Sequence, residues 1–365
     1  MQRRSFLTRS AAVAGTASLA GGITTPAIAQ TQPAVSWRLA SSFPKTLDTI
    51  YGSADAFARR VAQLTGDRFQ IRQFAAGEIV PGLQVMDAVQ AGTVEIGHTP
   101  AYYYFGKDAT FAFDCAVPFG LTSRQQTAWF DQGGGRELLR EFYRGYGIVN
   151  FMGGNTGVQM GGWYRKEIRS VADLKGLKMR VAGFAGRVME RMGVVPQQIP
   201  AGDVYAALEK GTIDAAEWVG PYDDEKLGLV RVAPHYYAPG WWETGPQLSF
   251  LVNGRQWDRL PKQYQAAIEA AAYECHVRMQ AGYDARNPGA LARLLKNGAK
   301  LHNFGKDVMD AAYRHAGAVM EEEAAKNAKF RKIYEPWKKF RHDQNQWASV
   351  AEAAMQNYLI TAGRR

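Results

Sequence analysis

The chain has few of the residues that most often carry chemistry. Its 365 residues include two cysteines and six histidines. Cys115 and Cys275 lie far apart with no C-x-x-C, which argues against a zinc–thiolate site. The histidines (His98, His235, His276, His302, His315, His342) show neither H-E-x-x-H nor H-x-H spacing, and each reads as surface or satisfied core. No G-x-S-x-G elbow, P-loop lysine motif or G-x-G-x-x-G opening a helix after a strand is present. Gly133-Gly134-Gly135 lacks the preceding strand and the following Lys-Ser/Thr, so it reads as a turn. Nothing here argues for an enzyme. Runs of five like charges are also missing. The formal charge of +10 is therefore dispersed, which counts against nucleic acid and favours small anionic ligands. The apolar stretch near the start, residues 11–23, is shorter than the ~20 residues of a membrane-spanning helix and is rich in Gly and Ala.

What is present begins with an address. Arg3-Arg4-Ser5-Phe6-Leu7 is a twin-arginine pair followed by an apolar landing site, and Ala27-Ile28-Ala29 is the small-x-small pattern a signal peptidase cuts after. Twin-arginine signals route folded chains across the bacterial inner membrane. Residues 1–29 are expected to be removed, and the remainder to work in the periplasm. Losing Arg3, Arg4 and Arg9 takes the formal charge from +10 to +7. The remaining length suits two domains. A disulfide is permitted in that compartment. Yet Cys275 falls on an apolar helical stripe with Tyr264, Ile268, Ala271 and Met279, which reads as core packing.

Periodicity gives an alternating strand–helix series. Residues 35–40 and 69–74 are strand-like, residues 46–64 repeat apolar side chains at helical spacing, residues 82–90 are helical up to Gly92, and residues 93–97 return to strand. That is the pattern of an open α/β sheet. A phrase then recurs 119 residues later. Met86-Asp87-Ala88-Val89-Gln90-Ala91-Gly92-Thr93-Val94-Glu95 is echoed by Tyr205-Ala206-Ala207-Leu208-Glu209-Lys210-Gly211-Thr212-Ile213-Asp214. Each copy is a helix, a glycine stop and a strand opening Thr-aliphatic-acid. The repeat predicts two α/β lobes of related design. Residues 177–181, 186–192 and 194–198 supply strand, helix and strand for the second lobe, and the strand-like stretches 158–164 and 247–253 sit where the chain crosses between lobes. A cleft between them is the expected ligand site. The expected division is 33–156 with 245–284 for lobe I, 157–244 with 285–333 for lobe II, and 334–365 for a long C-terminal helix. Pro336 suits a first helical turn. The apolar face behind it (Trp337, Phe340, Trp347, Val350, Ala354, Tyr358) predicts a brace across both lobes or a homodimer contact.

Candidate binding residues cluster in two strings. Asn155-Thr156-Gly157-Val158-Gln159-Met160-Gly161-Gly162-Trp163 offers side-chain amides beside glycines that permit close backbone approach. Lys178-Met179-Arg180-Val181 ends a predicted strand with a guanidinium, whose rigid fork pairs bidentately with carboxylates.

Here the residues carry a resemblance. Asp173-Leu174-Lys175-Gly176-Leu177-Lys178-Met179-Arg180, the Gly-Thr-Ile-Asp-Ala element at 211–215, and Trp257-Asp258-Arg259-Leu260-Pro261 before a helix resemble the solute-binding subunits of TRAP (tripartite ATP-independent periplasmic) transporters, over nearly the whole chain from Trp37. The resemblance implies a two-lobe periplasmic-binding-protein α/β fold with an interlobe cleft and a long helix. It also implies capture of organic anions for membrane subunits driven by a sodium gradient, and an arginine, here Arg180, that pairs the ligand carboxylate. The strings 155–163, 216–224 (AEWVGPYDD) and 240–246 (GWWETGP) look like the branch that takes 2-oxo or 2-hydroxy monocarboxylates, often with a metal cation. By that resemblance Gln159, Glu217, Trp218 (through its carbonyl) and Glu243 surround the cation. Asn155 and Arg180 hold the acid, and one or more of Tyr102, Tyr103 and Tyr104 line the other wall.

Electrostatics supports a cation separately. Two glutamates facing an anion in a closed cleft repel it by roughly 4 kcal/mol per pair at 4 Å and an effective dielectric of 20. One arginine does not balance three negatives, so either a carboxyl is protonated or a cation sits between them. Oxygen donors without His or Cys favour Na⁺ or Ca²⁺. The competing expectations are a metal-free binding protein for another organic anion, a periplasmic enzyme exported folded with its cofactor, and a binding protein that docks on a receptor instead of a permease.

Overall fold

The alternating pattern of the first hundred residues is realised as a five-stranded mixed sheet. The structure is a computed structural model and describes residues 32–363, so the twin-arginine pair and the cleavage pattern lie outside the described residues. The strands, in chain order, are β1 Val35–Ser41, β2 Phe69–Phe74, β3 Ile96–Thr99, β4 Ile148–Asn155, β5 Trp163–Tyr164, β6 Lys178–Arg180, β7 Val195–Gln197, β8 Ala215–Ala216, β9 His235–Ala238, β10 Gln247–Asn253 and β11 Lys300–Asn303. The first sheet runs β2-β1-β3-β10-β4 and the second β11-β9-β5-β8-β6-β7. β1 is parallel to β2 and β3, while β10 is antiparallel to both β3 and β4. In the second sheet β6 is parallel to β7 and β8, and β5 is antiparallel to its neighbours β8 and β9. This is the two-lobe fold expected from the repeat.

The recurring phrase has a physical basis. Gly92 and Gly211 both stop their helices at positive φ, +74° and +70°, a conformation that costs glycine little. The acid that follows does the same work in each copy. A Glu95 carboxylate oxygen accepts from the Arg38 N–H at 2.7 Å, and an Asp214 carboxylate oxygen accepts from the Lys178 N–H at 3.0 Å. Each acid thus ties down the backbone of the parallel strand beside its own, β1 at Arg38 and β6 at its first residue.

Chain crossings put the cleft at one end of the first sheet. β4 ends at Asn155, the chain passes to β5, and it returns into β10. The helix Lys262–Lys296 then packs against β4, against Ile50–Leu64, and against Pro221–Leu227 beyond the crossing. Its stripe Tyr264, Ile268, Ala271, Cys275 and Met279 is buried as predicted. The Cys275 thiol donates to the Ser53 carbonyl at 2.9 Å, and both cysteines are free. Met279 explains one glycine: Gly154, at φ +144°, has no room for a Cβ against the methionine side chain.

The C-terminal helix departs from expectation. It begins at Ala328, where the Asn327 side chain caps the Lys329 and Phe330 amides at 3.1 Å each, so Pro336 lies inside the helix and not in its first turn. The cap, a strong start signal, outweighs the proline. After a break at Ala351 a second helix runs Glu352–Ala362. The predicted apolar face divides: Trp337 is buried and Phe340 packs on the core, whereas Trp347, Val350 and Tyr358 are exposed. The first half is a brace. No helix among the described residues is long and apolar enough to cross a membrane.

Candidate functional site

Arg180 ends β6 with a side chain wholly withdrawn from solvent. Burial of a guanidinium is costly unless its donors are satisfied. Its Nε donates to the Ile199 carbonyl at 3.1 Å and its Nη1 to the Glu217 carbonyl at 2.9 Å. Nη1 also forms an ion pair with the Glu217 carboxylate. The guanidinium carbon lies 4.9 Å from the centre of the Trp218 ring, within cation–π range. Nη2 has no hydrogen-bond partner among the described residues.

Three buried oxygens are in the complementary condition. Gln159 Oε1, Glu217 Oε2 and Glu243 Oε2 all lack a hydrogen-bond donor. The backbone brings the Gln159 and Glu243 segments together: the Gln159 N–H donates to the Glu243 carbonyl at 3.0 Å, and the Gly240 N–H to the Gln159 carbonyl at 2.9 Å. The Gln159 amide nitrogen is anchored on Thr156 Oγ1 at 3.2 Å, which turns its oxygen outward. Burial raises the Glu217 pKa to about 7 in spite of the Arg180 charge. Glu243 is pushed further up, by burial and then by the neighbouring Glu217 charge. For Arg180 burial works against the charge, but Glu217 and the surrounding acidic groups outweigh it and hold the pKa above its ordinary value.

A small cavity of about 20 Å³, with room for little more than a water molecule, adjoins Gln159 and Glu243, while Arg180 and Glu217 lie outside its lining. Gln159, Trp218, Glu243, Tyr102 and Tyr103 are in its wall. The remainder is mostly apolar, with Phe43, Ile50, Cys115, Val219 and Leu248. Its contents can be small only.

Two sequence-predicted residues sit elsewhere. The Tyr104 hydroxyl is held at 3.0 Å from both the Met86 N–H and Thr99 Oγ1, inside the first lobe, because the short helical turn Ala101–Tyr104 points successive rings in different directions. Asn155 spends its amide on the crossing segments: Nδ2 donates to the Gly245 carbonyl at 3.0 Å and Oδ1 accepts from the Gly157 N–H at 2.8 Å. It shapes the loop that carries Gln159. Sequence reading missed Phe43, Ile50, Cys115 and Leu248 in the wall. No local pattern marks them, since each lies in an ordinary apolar or loop context and they converge only in three dimensions.

The donor set fits a hard cation. Among the described residues no three His, Cys, Asp or Glu side chains are grouped to hold a metal. An ion here would therefore combine two carboxylates with amide and carbonyl oxygens, the ligand chemistry of Ca²⁺ or Na⁺. The orphaned Arg180 donor fits an anion.

Comparison with known proteins places this arrangement. Residues 40–327 match the model of the bacterial extracellular solute-binding proteins, family 7. A Nostoc protein described as a monocarboxylate 2-oxoacid-binding periplasmic protein is 50% identical, over 99% of this chain and 100% of that protein. A TRAP transporter solute-binding protein from Bordetella bronchiseptica, crystallised as a dimer with copurified calcium and picolinate in one site, superposes with a TM-score of 0.90 at 55% identity, over 91% of this chain and 99% of that one. One from Pseudoalteromonas atlantica, with bound sodium and pyruvate, gives 0.86 at 38% identity, over 88% and 98%. The chain belongs to the bacterial extracellular solute-binding proteins, family 7, as a periplasmic solute-binding subunit of a TRAP transporter, and is not an enzyme.

Proposed function

We propose that this protein captures a small 2-oxo monocarboxylate of the pyruvate type, or its 2-hydroxy counterpart, together with a hard cation, and presents it to TRAP membrane subunits for sodium-driven uptake. The observation that carries the reading is the pairing of unsatisfied atoms: one buried guanidinium donor, on Arg180 packed against the cavity-wall residue Trp218, and three buried oxygens, of which those of Gln159 and Glu243 belong to the wall of one small cavity. Arg180 binds the acid carboxylate. Gln159, Glu217, Glu243 and the Trp218 carbonyl hold the cation, which supplies the positive charge the acid needs beside two glutamates. Tyr102 and Tyr103 close the wall.

The relatives support the same chemistry. Pyruvate places a carbonyl oxygen next to a carboxylate, and picolinate places a ring nitrogen there. Both present adjacent donors to a metal. Isothermal titration of the mature protein with pyruvate and lactate, with Ca²⁺, with Na⁺ and with chelator, tests the reading. Expected is tight binding that weakens at least tenfold when the cation is withdrawn. Equal affinity with and without cation would remove the cation from the proposal, and no heat with either acid would end it.

In this reading 33–156 with 245–284 forms one lobe and 157–244 with 285–333 the other, closing as rigid bodies about the three crossings. Export uses the twin-arginine pair, so replacing Arg3 and Arg4 with lysine should leave the precursor inside the cell. The exposed C-terminal stripe of Trp347, Val350, Met355, Tyr358 and Leu359 is covered by a second copy, in keeping with the dimer of the Bordetella relative.

A further inference from the structure

We infer that Cys115, with Phe43, Ile50 and Leu248, forms the compartment that receives the carbon chain of the bound acid, and that position 115 gauges the length of that chain. The inference rests on the 2-oxo acid reading of the cleft. In the cavity wall the unpartnered polar atoms belong to Gln159, Trp218 and Glu243. Phe43, Ile50 and Leu248 belong to one apolar cluster, which also holds Trp218 and Val219. Cys115 belongs to a different one, with Tyr102 and Tyr103. The cavity thus lies between two apolar clusters, and no Lys, Arg or His lines it. Its single charged lining residue is Glu243. A second carboxylate at the far end of a ligand would lose its water there and meet no cationic partner.

Cys115 is almost completely buried, and its sulfur sits by the backbone N–H groups of Ala101 and Tyr102. Burial first, then the Glu243 and Asp114 charges, pushes the thiol well above its ordinary pKa. In the wall it behaves as a small, polarisable apolar group. Phe43, Ile50 and Leu248 are all bulkier. Position 115 is where the wall can gain or lose a methylene or two with least disturbance elsewhere.

The test is titration of the intact mature protein, in saturating Ca²⁺, with pyruvate, 2-oxobutyrate, 2-oxovalerate and 2-oxoglutarate. Wild type should reject 2-oxoglutarate by at least about a hundredfold relative to pyruvate, the scale for a stranded charge. Cys115→Ala should raise the affinity of 2-oxovalerate relative to pyruvate by about fourfold or more, and Cys115→Leu should lower it by a similar factor, since one buried methylene is worth about that much. Cys275→Ala, away from the cavity, should leave the ratio unchanged. A second readout does not depend on Leu being accommodated: in the Cys275→Ala background, pyruvate with Ca²⁺ should slow alkylation of Cys115 at least tenfold beyond Ca²⁺ alone. Unchanged ratios in both Cys115 variants with pyruvate binding intact, tight binding of 2-oxoglutarate, or alkylation indifferent to pyruvate would each overturn this inference alone. Failure of wild type to bind any of the four acids would instead overturn the reading of the site.

Discussion

Arg180 illustrates how a single residue's environment decides its role. Four of its contacts are fixed by the protein, two of them with Glu217 and one with the Trp218 ring. One nitrogen is left over for a ligand. Arg180→Ala should therefore weaken binding of the acid by about 3–5 kcal/mol, the cost of leaving a buried charge unpaired, and titration calorimetry on the folded variant reads this directly. Near-normal affinity would refute the assignment. Tyr104 gives the opposite case. Its hydroxyl serves Met86 and Thr99, so Tyr104→Phe should cost about 1 kcal/mol in denaturant stability and leave ligand affinity within twofold. A larger loss of affinity than of stability would return Tyr104 to the binding wall.

Elements set how the lobes meet. Asp48, just before the helix Ile50–Leu64, accepts from the Tyr222 hydroxyl at 3.1 Å and pairs with Lys226, both on the helix Pro221–Leu227. The contact joins the two proposed lobes beside the cleft. Exposed ion pairs contribute up to about 1 kcal/mol, so Asp48→Ala should speed ligand release about two- to fivefold with the association rate unchanged. Stopped-flow traces showing an equal change in both rates would discount it as a latch. The C-terminal helices behave as two elements. The first half is anchored by Trp337 and by Arg341, which donates to the Phe119 carbonyl at 3.2 Å. The second half presents its apolar residues outward. If the proposed dimer forms through this face, Leu359→Glu should shift it to monomer in light scattering with no change in pyruvate affinity, and a dimer that survives would move the interface elsewhere.

At the scale of the whole molecule, buried acids set the pH response. Burial raises Asp114 and Asp224 to about 6 and Asp223 and Glu217 to about 7, with Glu243 raised further. A carboxyl raised on folding binds more protons in the native state, so its contribution grows as pH falls through the folded pKa and is complete below the unfolded one. The ligand-free protein should melt at a higher temperature at pH 5.5 than at pH 7.5. The buried His98 and His276, lowered to about 4, work in the other direction between about 6.5 and 4 and limit the gain in stronger acid. Cation binding needs the glutamates ionised, so stabilisation by Ca²⁺ with pyruvate should shrink over the same descent. Melting curves with and without both ligands check the two signs, and parallel shifts would contradict the second.

Much of this was open to sequence reasoning, and the reason is local. Helix and strand periods, the Gly-Thr-aliphatic-acid repeat and the stripe through Cys275 depend on neighbours within a turn or two, and the structure carries most of them. The exceptions are 158–164, strand only at Trp163–Tyr164, and the two Thr-aliphatic-acid strings, which precede the strands they were expected to open. The strings around Asn155, Arg180 and Glu217 also named most of the polar site. Local signals failed where two competed: Pro336 marked a helix start that the Asn327 cap had already made eight residues earlier.

Tertiary structure alone decided the rest. Sequence determined that this chain is exported, has two α/β lobes, and carries a guanidinium and several acids in its crossing segments, because composition, order and period are properties of the chain itself. Which of those groups lose water, which find partners, and which are left with an unsatisfied atom depends on segments more than a hundred residues apart meeting at one place. Gln159 and Tyr104 are both polar and both buried. The first has an oxygen without a donor and the second has a satisfied hydroxyl, a difference made entirely by packing.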